Sequence, residues 1–171
     1  MSNTAVARQA LNALAARQEA VLTRIEGKTD ARQRVWSSAP HIWSLAQILQ
    51  HLGLGARALL KSERPGAKLG GRVKFLVMRV VLKSPARLKL PPGVPLTPAP
   101  DVSWDDAVAS ARGTLQTWSA YLDTARQDAV FMHPFAGGLT TDQAITFLQD
   151  HFEHHVAQIN RLLTTLPRQT T

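Results

Sequence analysis

The chain has 171 residues, enough for one domain with a sizeable core, and its 44% hydrophobic content is ordinary for a folded protein. It has no cysteine, which excludes disulfides, thiolate metal sites and a cysteine nucleophile. The formal charge of +8 is a local feature, because the basic excess falls in one segment rather than along the whole chain.

The N-terminus, Met1 to Ala16, is alanine-rich but interrupted by Asn3, Arg8, Gln9 and Asn12, so it lacks the continuous apolar stretch of a secretory signal. No apolar run approaches the ~20 residues of a membrane span. A cytoplasmic location is expected. Residues from about Thr4 to Glu26 read as a first helix, with Leu11, Leu14, Ala15, Val21, Leu22 and Ile25 on one stripe and Gly27 as its stop. A connection from Lys28 to His41 follows, closed by Ala39-Pro40.

Ser44 opens the second long helix. Ser44-Leu45-Ala46-Gln47 fits a capping box, and Trp43 is placed to pack on the first turn as a staple. The apolar stripe is Leu45, Ile48, Leu49, Leu52, Ala56, Leu59 and Leu60. His51 falls at its edge, where Gly55, one turn on, leaves room beside the imidazole.

Gly66 to Gly71 is a break. Arg72 to Lys83 is dense in apolar residues and reads as a short helix, with a strand as the alternative for so valine-rich a run. Hydrophobicity on both sides suits burial against a bundle, or at a subunit interface, better than a membrane surface. Ten basic residues surround it: Arg57, Lys61, Arg64, Lys68, Arg72, Lys74, Arg79, Lys83, Arg87 and Lys89, against the single acid Glu63. They interleave with one aromatic, Phe75, and no DNA-reading motif is present. Neither nucleic acid nor membrane is expected as a partner. Binding of an anionic surface through 57–89 stands as an alternative reading.

Leu90 to Pro100 holds Pro91, Pro92, Pro95, Pro98 and Pro100, which predicts a stiff, extended connection able to wall a pocket. Ser103 caps the third long helix, with Asp105 and Asp106 at its positive end, and the stripe runs to about Ala125. Phe131 to Leu139 reads as a loop containing His133-Pro134 and Gly137-Gly138. Thr140 to Gln143 caps the last helix, which runs to about Leu166. The expected fold is all-α: one four-helix-bundle domain over 1–171, with an extra short helix and a proline-rich loop between the second and third long helices.

On the last helix, Ile145, Leu148, Phe152, Ile159, Leu162, Leu163 and Leu166 form the core-facing stripe. His155 lies about 20° from Leu148 on a helical wheel and His151 about 60°, so their rings point the same way. His154, at about 120°, is expected to face solvent. Two histidines four apart can serve one metal ion, and His51 from the second helix supplies a third imidazole. Three protein ligands leave coordination positions open, which is the catalytic pattern. Glu153 and Asp150 point away from the stripe, so neither is expected as a general base, and the pattern is not His-Glu-x-x-His. Glu19, Glu26 or Gln47 could stand behind the ligands; His133 is expected to be structural and His41 to lie at the surface. Trp36, Trp43, Trp104 and Trp118 are expected to be packing residues.

Three motifs together resemble the DinB/YfiT-like superfamily. They are Trp43-Ser44 leading to His51-Leu52, His133-Pro134 leading to Gly137-Gly138-Leu139-Thr140, and His151-x-x-His154-His155 leading to Gln158-Ile159. The resemblance spans most of residues 40–160. It implies an up-down-down-up four-helix bundle, frequently a homodimer, with a divalent metal on His51, His151 and His155. Zn²⁺ or Ni²⁺ is the expected ion, with Mn²⁺, Fe²⁺ or Co²⁺ as alternatives. It further implies a hydrolase, or a transferase using a low-molecular-weight thiol, acting on a small molecule. A non-catalytic metal- or ligand-binding module is the other reading.

Overall fold

The computed structural model describes residues 3–39, 41–84, 96–126 and 128–167. Six helices and one hairpin follow in order: α1 (Asn3–Glu26), α2 (Ala31–Val35), α3 (Leu45–Lys61), α4 (Arg72–Lys83), α5 (Trp104–Thr124), β1 (Phe131–His133), β2 (Gly137–Leu139) and α6 (Thr141–Thr165). The four long helices α1, α3, α5 and α6 are the expected bundle. The caps read from sequence are present: Ser44 with Gln47 and Thr140 with Gln143 form reciprocal boxes, and the Ser103 hydroxyl accepts from the Asp106 amide.

Two elements differ from the sequence reading. The stretch after α1 is not plain connection, because the Asp30 carboxylate accepts from the Gln33 amide and Gln33 bonds back, starting α2. The stretch 131–139 is not a loop but a tight antiparallel hairpin, pairing Phe131 with Leu139 and His133 with Gly137. Gly137 turns it at φ +75°, and at Gly138 a Cβ would stand 2.3 Å from the Lys68 carbonyl oxygen.

Side-chain pairs give the direction of every long helix. Along α1 and α5, Arg8 meets Asp123, Glu19 meets Arg112 and Glu26 meets Trp104, so these two are antiparallel. Between α1 and α6, Ala10 meets Gln149 and Arg17 meets Glu153, which is parallel. Between α3 and α5, Thr114 meets Gly53 and Trp118 meets Ala56, again parallel. Between α3 and α6, His51 lies beside His155 while Gly55 lies beside His151, which is antiparallel. The order is therefore up-down-down-up.

Parallel α3 and α5 require the chain to travel back along the bundle between them, about 25 Å for a 17-residue helix. Helix α4 makes that return. It runs beside and parallel to α6, with Leu69 bridged to Gly138, Arg79 paired with Asp150 and Leu82 bonded to His154. Its inner face buries Met78 and Leu82 and packs Phe75 on the core. The expected burial on both sides is not met, since Val73, Leu76, Val77 and Val80 are all more than half exposed. Arg87, Lys89 and the first part of the proline-rich stretch lie outside the described residues. Its last part is fastened to α3: the Gln47 side-chain amide donates to the Ala99 carbonyl, and the Ala99 amide donates to Gln50 Oε1.

Candidate metal centre

The antiparallel contact of α3 and α6 brings His51, His151 and His155 together. One ring nitrogen of each lies within 4.8 Å of the others. His151 Nε2 stands 3.3 Å from His51 Nε2 and 3.1 Å from His155 Nε2. Nitrogens bound about 2.0–2.1 Å from one ion are separated by roughly 3.0–3.4 Å, so this spacing suits a single small divalent cation.

The opposite ring atoms fix where the lone pairs point. His51 Nδ1 lies 2.7 Å from the Leu96 carbonyl oxygen, which can only accept, so His51 carries its proton on Nδ1. His155 Nδ1 lies 2.9 Å from Gln158 Oε1 and donates to it. Both Nε2 atoms therefore present lone pairs to the centre. Burial, together with the other histidines, keeps the rings neutral. It pushes His155 down to about 3, holds His151 well below the ordinary imidazole range, and lowers His51. His51 and His155 are buried, whereas His151 keeps a partly accessible edge although protein surrounds its ring.

Aromatic rings wall the cluster. Trp43 lies 4.7 Å from the His51 ring and 6.4 Å from His155, and Phe147 stacks on His151 at 5.3 Å. Trp43 is thus a wall of the site and not only a packing residue at a helix end. Gly55 makes room as expected, but for the other imidazole: a Cβ there would stand 3.3 Å from His151 Cε1.

His154 does not face solvent. It is 8% exposed, because α4 lies over that side of α6. Its Nδ1 is 2.8 Å from the Leu82 carbonyl, and its Nε2 accepts from the Gln158 amide at 3.2 Å. A chain of hydrogen bonds therefore runs from His155 through Gln158 and His154 to the backbone of α4. The sequence reading passed over Gln158 as a ligand support, although it sits three residues after His155 on the same face.

The other candidates lie elsewhere. Glu19 pairs with Arg112, Glu26 accepts from Trp104, and Gln47 caps α3. Asp150 pairs with Arg79, and Glu153 with Arg17. No carboxylate joins the cluster among the described residues. His133 Nδ1 accepts from the Phe135 and Ala136 amides, which holds the hairpin turn, and burial pushes it down to about 4. His41 is exposed. A second polar group that sequence reasoning missed is Gln18. It is 4% exposed and shares with His151 a cavity of about 20 Å³, room for one water. Its signal was a glutamine in the middle of the apolar stripe of α1.

A family model described as the DinB superfamily matches residues 4–159. Among solved structures, the chain is similar to YfiT from Bacillus subtilis, described as a probable metal-dependent hydrolase with an unusual four-helix bundle topology. The two are 15% identical, the match covers 96% of this chain and 89% of that one, and the TM-score is 0.55, a likeness of fold. A comparison with curated proteins finds no match.

Proposed function

The chain belongs to the DinB superfamily, and from that membership we propose that it is a metal-dependent hydrolase of a small molecule, its divalent ion held by His51, His151 and His155. The carrying observation is the convergence of three neutral ring nitrogens, two of them aimed by fixed Nδ1–H donors. Zinc and nickel suit an all-imidazole site best. Bound there, the ion supplies Lewis acidity, which lowers the pKa of a water or a thiol.

The chain's own groups do the rest. Leu96 and Gln158 orient two ligands. Trp43 and Phe147 exclude water from the flanks, which strengthens electrostatic interactions inside. Gln18 lines the one-water cavity beside His151, where its side chain can hold a water next to the cluster. The similar YfiT fold, described as a probable hydrolase, supports the reaction class.

A second reading is transfer to a low-molecular-weight thiol. It is favoured by the lack of a carboxylate at the cluster, because a thiol ionises far more readily than water and needs no strong general base. With no cysteine in the chain, that thiol is a cosubstrate.

The test is the metal content of protein purified without a nickel column, beside His51→Ala and His151→Ala. Near-stoichiometric metal in the parent and loss in both variants is expected, followed by metal-dependent turnover in ester and amide panels. Parent protein that takes up no metal after incubation with Zn²⁺, Ni²⁺ or Mn²⁺ refutes the proposal. Turnover appearing only with an added thiol selects the second reading.

A further inference from the structure

Among the described residues, the outer face of α4 holds the densest group of exposed large apolar side chains. Val73, Leu76, Val77 and Val80 follow the i, i+3, i+4, i+7 spacing of one helix face and are 73%, 57%, 56% and 69% exposed. Monomeric proteins seldom leave such a ridge bare without use. Cations flank it on both sides. Lys74 lies on one edge, and Arg72, Arg79 and Lys83 lie on the other, while α4 itself holds no acid. Asp150 on α6 pairs with Arg79 and approaches Lys83 at 3.9 Å; among the described residues Arg72 and Lys74 have no ion-pair partner. Leu69 and Phe135, at the hairpin end of α4, are also exposed, at 56% and 62%. Gly70 ties the two segments together by donating to the Gly138 carbonyl at 2.6 Å.

We propose that α4 is an interfacial helix whose Val73–Leu76–Val77–Val80 ridge docks on an anionic lipid surface, with its flanking lysines and arginines reaching the headgroups. The arrangement is that of a helix lying in the plane of a bilayer: an apolar strip inward and long basic chains at its borders, their stems covering the apolar rim. Charge selects this occupant over a second copy. A symmetric self-contact sets each cation of α4 against cations of its twin, with no acid on the helix to answer them. Anionic headgroups complement both edges at once. Docking needs no unpacking, because the inner face of α4 already buries Met78 and Leu82 against the bundle. It is tested apart from the metal reading, since the ridge is the outward face of α4 and the histidine network meets this helix at the Leu82 carbonyl.

The experiment is co-sedimentation of the full chain with vesicles of roughly three parts phosphatidylcholine to one part phosphatidylglycerol, beside pure phosphatidylcholine. The parent is compared with a fourfold variant, Val73→Ser, Leu76→Ser, Val77→Ser, Val80→Ser, and with Arg72→Gln, Lys74→Gln. Metal content and thermal midpoint check that the variants fold as the parent does. Expected is partitioning to the anionic vesicles at ~150 mM salt, lower by on the order of tenfold in each variant and on pure phosphatidylcholine. Three results overturn the proposal: no binding of the parent to anionic vesicles, undiminished binding of the serine variant (adsorption by charge alone), or a solution dimer that the serine substitutions convert to monomer.

Discussion

Gln158 decides the orientation of His155 from both of its ends. Its oxygen receives the His155 Nδ1 proton, and its nitrogen donates to His154, whose own Nδ1 proton goes to Leu82. Reversing the amide would set two donors face to face at His155 and two acceptors face to face at His154, so the network admits one arrangement with these tautomers. Supports of this kind are worth about 10–100-fold in metal affinity. Gln158→Leu, which removes both bonds at similar volume, is expected to weaken metal binding by that factor with little change in fold. Competition with a coloured chelator measures it, and affinity equal to the parent would show that packing alone holds His155. His154 is the residue whose role the sequence misread. A wheel gives the angle of a side chain about its own helix, and 120° from the core stripe means solvent only until another helix covers that side.

At the scale of elements, the bundle depends on how closely α3 can approach its neighbours. A Cβ on Gly53 would stand 2.7 Å from Ser110 Oγ and 3.1 Å from its carbonyl group, so this glycine marks the tight crossing of α3 and α5. Crowding there costs about 1–3 kcal/mol, and the gain in helix propensity returns up to about 1 kcal/mol. Gly53→Ala is therefore expected to lose stability by about 1 kcal/mol or more in urea unfolding. Gly113→Ala has open space around its Cβ and is expected to gain up to about 1 kcal/mol. Equal gains in both would mean that Ser110 turns aside and the crossing is not set there. The long helices, their caps and the pairing of His151 with His155 were legible because each rests on a local period or a local hydrogen bond. The short helix α2 was legible too, through Asp30 and Gln33, and was passed over. The hairpin was not legible: three-residue strands have too little alternation to read, and Phe131–Leu139 is braced by residues 63–70, which are distant in sequence.

For the whole molecule, the buried histidines make stability depend on pH and on metal. His51, His133, His151 and His155 all bind protons less readily in the native chain than when exposed, through burial. The unfolded chain takes up protons first, so metal-free protein loses stability as pH falls from about 6.5. For His133 the loss runs from 6.5 down to about 4 and amounts to roughly 3 kcal/mol. Thermal midpoints of chelated protein are expected to drop steadily between pH 7 and pH 4. A flat profile over that range would mean the rings are solvated. At pH 7, where all four are mostly neutral in both states, metal adds a separate increment. Chelation of loaded protein is expected to lower the midpoint by the equivalent of about 3–4 kcal/mol at 100–1,000 times the dissociation constant.

By itself the sequence determined the helix-forming segments, their caps and core faces, the exclusion of protein thiolates, and which histidine pair shares a face of α6. These follow from periodicity and from groups within one helical turn of each other. The stripe-edge position of His51 offered it as third partner, and likeness to a family reinforced that choice and supplied the up-down-down-up order. Tertiary structure alone decided that α4 is the return path between parallel α3 and α5. That placement buried His154, gave Gln158 a second bond, and turned Val73, Leu76, Val77 and Val80 outward. It also decided that Gly55 accommodates His151 and that Gln18 stands by it. The physical reason is the same in each case. A side chain's angle on its helix is a local property, but what lies against it is set by which helix the chain brings alongside.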